Sequence, residues 1–108
     1  MNLHNQLLRQ AGKFAGTQTV RRIELSAEMG RLEGRRSLSE AERAELEEVR
    51  IEAENCAQAL LRFGTYRPQN GADANCPYCW VVHGVSSPLR AGASPETYQC
   101  SECQTEYP

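Results

Sequence analysis

A chain of 108 residues, 40% hydrophobic but only 6% aromatic and 24% charged, has room for one small domain or a small domain with a helical arm. It excludes a large self-sufficient core, so a covalent or metal staple is expected. The formal charge of −2 says little, but its distribution says more: residues 1–36 carry seven basic and three acidic side chains, residues 37–63 three and seven, and residues 64–108 two and four. That alternation predicts two elements that attract each other.

The start, MNLHNQLLRQAGKFAG, has no continuous apolar stretch and no cleavage-site pattern, so no secretory signal is expected. No window approaches the roughly 18 apolar residues that a membrane span needs, so no membrane association is expected either. Without a signal the expected setting is the reducing cytoplasm, and five cysteines, an odd number, disfavour a closed disulfide framework.

Residues 3–33 predict a helix. Leu3, Leu7, Ala11 and Phe14 are helically spaced, as are Val20, Ile23, Ala27 and Gly30, while Leu25, Met29 and Leu32 form a second stripe. Gly12, Gly16, Thr17 and Thr19 weaken the middle, which predicts a break near 15–19, with a strand at 17–25 as the alternative. The sequence EGRRS at 33–37 reads as the turn into a second helix.

Residues 37–63 carry the clearest periodicity. Leu46, Val49, Ala53, Cys56, Leu60 and Phe63 form a heptad-like seam on an otherwise charged helix. Ser39 and Glu42 have the spacing of a capping box at its start, and Gly64 reads as its stop. Two helices with apolar seams and a short connection predict an antiparallel, coiled-coil-like hairpin arm over residues 1–63. Cys56 reads as a small core residue, and the arm is also a candidate homodimer surface.

Residues 64–75 read as a linker with a turn at Asn70-Gly71, and residues 76–108 as a small zinc ribbon. The expected fold class is therefore small α+β. CPYC at 76–79 and CSEC at 100–103 give two C-x-x-C pairs separated by 20 residues. Two intervening residues let a tight turn place both sulfurs about 2.3 Å from one ion, on adjacent tetrahedral vertices. Cys76, Cys79, Cys100 and Cys103 are thus the expected ligands of one structural zinc per chain, with iron as the chemical rival. Strands are predicted at 80–85 (WVVHGV) and 97–100, joined by a loop at 86–96. His83 is a substitute ligand that four cysteines make superfluous, and it reads as an exposed strand residue.

CPYC and YQCSEC resemble the knuckles of zinc-ribbon and rubredoxin-like proteins, although Trp80 and Gln104 stand where such knuckles often carry glycine. More broadly, Ala59-Leu60, Arg62, Gly64 and Tyr66 before the cysteine pairs, with Arg90, Ala93 and Pro95 between them, resemble the DksA/TraR family of RNA polymerase-binding regulators. That resemblance implies a helical hairpin followed by a four-cysteine zinc finger, and RNA polymerase as the partner. The family's hairpin tip carries aspartates, whereas this turn offers Arg31, Arg35 and Arg36.

No nucleophile–base pair and no phosphate-binding loop is present, so no enzyme is expected. The expected function is docking on a larger protein in gene expression, with Arg31, Arg35, Arg36 and Trp80 as candidate contact residues. A nucleic-acid-binding ribbon using the arginines and Trp80 is one alternative, and a rubredoxin-like electron carrier is the other.

Overall fold

The computed structural model describes residues 3–67 and 74–108. Two long helices, α1 (Leu3–Glu33) and α2 (Glu40–Thr65), run antiparallel and are followed by a small strand region. The molecule is a rod of 58 × 21 × 19 Å, with a radius of gyration of 17.4 Å against about 13 Å for a compact chain of this length. The fold class is the small α+β hairpin-plus-strand arrangement expected.

α2 begins as its sequence predicts. The Ser39 hydroxyl accepts from the Glu42 N–H and the Glu42 carboxylate accepts from the Ser39 N–H, so both halves of the capping box are present. Gly64 does not stop the helix, which runs one residue further and ends at Tyr66.

α1 is continuous, without the break or strand predicted near 15–25. Packing overrides the weak local propensity: Ala11 and Ala15 are buried. The hydroxyls of Thr17 and Thr19 fold back onto the carbonyls of Lys13 and Ala15, at 3.2 and 3.0 Å. Continuity fixes which stripe faces α2. Eighteen residues, about five turns, separate Leu7 from Leu25, so the two share one face with Ala11 and Leu32. The Val20–Ile23–Ala27–Gly30 stripe is therefore not a seam; Val20 and Ile23 are 58% and 66% exposed.

Opposite charges line the hairpin. The Arg21 guanidinium makes two bonds to the Glu52 carboxylate, at 2.7 and 3.2 Å. Arg50 reaches Glu33 at 3.1 Å, Arg31 reaches Glu45 at 3.7 Å, and Arg35 pairs with Glu42. These pairs are exposed, so they select the pairing more than they hold it. Beneath them, Leu46 and Cys56 of α2 are buried, as is Ala59, which the predicted seam did not include.

The strands form an antiparallel meander, β1 (Leu89–Ala91), β2 (Tyr98–Cys100) and β3 (Glu106–Tyr107). Leu89 pairs with Cys100, and Tyr98 with Tyr107. Two expectations fail here. Residues 80–85 are not a strand: Cys79–His83 is one wide π-helical turn that stops at Gly84 in the left-handed region. The second failure is that β1 lies inside the predicted loop. One core joins the ends of both helices to this region: Leu7, Ala11, Ala59 and Tyr66 pack with Val81, Leu89, Tyr107 and three of the cysteines. The predicted Asn70-Gly71 turn lies outside the described residues.

Candidate metal centre

Cys76 enters the site on an extended segment tied to the start of β1, by Cys76 N–H to Ser87 O and Leu89 N–H to Ala74 O, both 2.8 Å. Pro77 and Tyr78 begin the helical turn that delivers Cys79. Proline suits the first residues of a helical turn because the N–H it lacks would have no partner there. Cys100 ends β2, and a tight turn closed by Gln104 N–H to Cys100 O at 3.0 Å returns Cys103.

All four sulfurs lie within 4.8 Å of one another. The Cys76–Cys103 and Cys79–Cys100 sulfurs are 3.6 Å apart. Four thiolates at ~2.3 Å from a central ion stand about 3.8 Å apart at tetrahedral geometry, so this donor set is positioned to bind one metal ion. Three of the cysteines are buried and Cys103 is partly exposed.

The sulfurs have partners of their own. Tyr107 Oη lies 3.1 Å from Cys76 Sγ, Ser87 Oγ 3.2 Å from Cys100 Sγ, and Thr105 Oγ1 3.2 Å from Cys103 Sγ. Burial pushes the Cys79 thiol up, and it raises Cys76 to about 11 against the hydrogen bonds from Tyr107 and the Cys79 N–H. Burial opposes ionisation of Cys100 as well. There the Ser87 hydroxyl and the N–H groups of Cys103 and Glu102 outweigh it and lower the thiol to about 6. Burial, with Cys76 beside it, pushes the Tyr107 phenol up, so it stays protonated and can donate. Outer hydrogen bonds of this kind orient ligands and spread thiolate charge.

Gln104 has φ +64°, the conformation for which knuckles use glycine. Trp80 sits in a right-handed helical turn, so no glycine is required there. Trp80 is half-buried, and its indole N–H donates to the carbonyl of Arg62 at 2.9 Å. Arg62 in turn donates to the carbonyls of Trp80, Val81 and Val82, each at 3.0 Å. His83 is exposed and packs edge-on against Tyr78, away from the sulfur cluster. The Tyr78 ring also meets Phe14 of α1.

Arg31 and Arg35 lie at the hairpin turn and are engaged with Glu28, Glu45 and Glu42, while Arg36 makes no ion pair among the described residues. The structure keeps these arginines at the far end of the helical pair from the cysteines. Ser87, Thr105 and the clamp by Arg62 were not signalled as site residues by the sequence. Only the proximity of Thr105 to the second pair could have signalled any of them. No helix among the described residues is long and apolar enough to cross a membrane. Comparison with protein-family models, curated proteins and solved structures finds no match to this chain, so nothing beyond the residues quoted above ties it to the DksA/TraR family.

Proposed function

We propose that this is a non-enzymatic interaction protein in which one structural zinc fixes the base of a projecting helical hairpin. The observation that carries the reading is the closed set of four sulfurs. A tetrathiolate uses every vertex of a zinc ion and leaves none for water or substrate, which favours stability over catalysis. The same donors accept iron, so metal analysis of the isolated protein is the first test. One zinc per chain is expected. One iron with a red colour would favour the electron carrier, and no metal with either ion would end the reading.

The docking surface we favour is the outer face of α1. Val20 and Ile23 stand exposed there, with the basic side chains of Arg9 and Lys13 at the N-terminal end of the same face. A protein partner with an apolar strip and an acidic rim would complement it. Two of the three turn arginines are already matched by glutamates, which favours a protein over nucleic acid. A role in gene expression and an RNA polymerase partner rest on the family resemblance alone. The test is affinity capture with the wild-type chain, with Val20→Ser/Ile23→Ser, and with Arg31→Ala/Arg35→Ala/Arg36→Ala. Loss of a protein partner only in the first variant is expected. Loss only in the arginine variant, steepening at low salt, would move the surface to the turn. Recovery of a second copy of the chain would mark the face as a homodimer contact.

A further inference from the structure

We propose that Arg62 is a positioning residue for the metal site: from the last turn of α2 it holds the turn that carries Cys79, so that metal loading and order at the base of the arm form one equilibrium. The inference rests on the metal reading above.

A π-helical turn of five residues has few bonds of its own: the Trp80 carbonyl accepts from the Gly84 N–H at 3.0 Å, and the carbonyls that follow it need outside donors. Arg62 supplies them. Its Nε lies 3.0 Å from both Trp80 O and Val81 O, and its Nη2 lies 3.0 Å from Val82 O. The planar guanidinium suits this task because its donors form a fixed fork. The link is reciprocal, since the indole N–H of Trp80 caps the Arg62 carbonyl, one of the last in α2, at 2.9 Å.

Gly84 completes the arrangement. It adopts φ +70°, and a Cβ there would stand 3.1 Å from Arg62 Cδ and 3.3 Å from Nε. The guanidinium therefore passes over a residue that lacks a side chain, at the exit of the turn. Val85 N–H closes back onto Cys79 O at 3.1 Å, so a shift of the turn's end reaches the ligand directly. Beside the clamp, Val81 and Cys79 share one core with Ala59 and Tyr66. Helix end and ligand turn thus brace each other by bonds in both directions. Ordering either one lowers the entropy cost of ordering the other.

The experiment uses the full chain with Co²⁺ as a visible probe, Zn²⁺ competition for affinity, and site-resolved hydrogen exchange with and without Zn²⁺. In the wild type, zinc should slow exchange at residues 56–66 of α2. Arg62→Gln should weaken Co²⁺ binding about 10–100-fold, the usual cost of removing an outer-sphere partner. It should also alter the Co²⁺ ligand-field bands and leave α2 exchange insensitive to zinc. Arg62→Lys, which keeps charge without the fork, should fall between. Leu32→Ala controls for general destabilisation, because it loosens the far end of the arm and should leave the Co²⁺ spectrum and affinity unchanged. Gly84→Ala crowds the guanidinium without removing it and should reproduce the Arg62→Gln effect, which keeps the test available if the latter does not fold. Wild-type affinity and spectrum in both Arg62→Gln and Gly84→Ala, or α2 exchange indifferent to zinc in the wild type, would overturn the proposal while leaving the metal site intact. A wild-type chain that binds neither ion removes the metal reading, and this inference with it.

Discussion

Trp80 and Arg62 exchange hydrogen bonds across the joint between arm and strands: the indole N–H caps the Arg62 carbonyl at 2.9 Å, and the guanidinium caps the Trp80 carbonyl at 3.0 Å. The polar atom of Trp80 is thus committed inside the molecule. Trp80→Phe should cost about 1 kcal/mol, the worth of one net hydrogen bond. Trp80→Ala, which also strips half-buried ring surface, should cost roughly 2 kcal/mol or more. Denaturant unfolding of the metal-loaded chain measures both. Equal stability of all three proteins would mean that Trp80 faces outward and is free to serve a partner.

The phase of α1 predicts a contrast between two large aliphatic residues. Leu32 is fully buried and Ile23 is 66% exposed. Leu32→Ala should destabilise by about 2–3 kcal/mol through lost burial and a residual cavity. Ile23→Ala should change stability by less than ~0.5 kcal/mol, because little of that side chain leaves water on folding. Thermal unfolding of the two variants decides it, and the reverse order would put the Val20–Ile23 stripe back into the helix–helix seam.

The parts legible in the sequence are those set by short-range chemistry. Ser39 and Glu42 specify a helix start within four residues, and the cysteine spacing specifies a shared site. The parts that were not legible depend on distant partners. WVVH has the β-branched composition of a strand, but Arg62, eighteen residues upstream of Trp80, supplies donors that only a helical turn can use. Ser87 reads as a loop serine and lies buried against Cys100, because the pairing of Leu89 with Cys100 brings it there. With a break near 15–19 the two competing stripes on α1 have no common phase and cannot be ranked. Once the helix is continuous, the phase from Leu7 decides between them.

The capping box carries a pH dependence of known sign. Glu42 is held below the usual carboxylate range, first by the Ser39 N–H and then by the Ser39 hydroxyl and Arg35. A carboxyl whose folded-state pKa is lowered contributes stability above its unfolded value of about 4.3, and loses it as pH falls through the folded value. The amide signal of Ser39 should therefore titrate in acid below that value. Glu42→Gln, which can still accept the backbone bond, should abolish the titration, and Ser39→Ala should cost about 1 kcal/mol. A Ser39 amide that shifts identically with pH in wild type and Glu42→Gln would show that the box is open in solution.

The second knuckle places a side chain where the backbone favours none. Gln104 at φ +64° costs about 1 kcal/mol in left-handed backbone energy. Part is offset by its side-chain amide, which donates to the Ser101 carbonyl at 2.8 Å. Gln104→Gly removes the backbone cost. It also loses that bond and gives the unfolded chain freedom worth ~0.4–1 kcal/mol, so its net stability should stay within about 1 kcal/mol of wild type. Gln104→Val keeps the cost, adds the clash of a β-branched side chain in that conformation and makes no bond to Ser101, so it should lose more than ~1 kcal/mol. Because the N–H groups of Glu102 and Cys103 point at Cys100 Sγ within the same turn, the loss should appear in zinc affinity as well as in unfolding. Competition with a chromophoric chelator measures the former. A valine variant that matches the glycine variant in both would show that the turn does not need the left-handed conformation to hold the second pair of sulfurs.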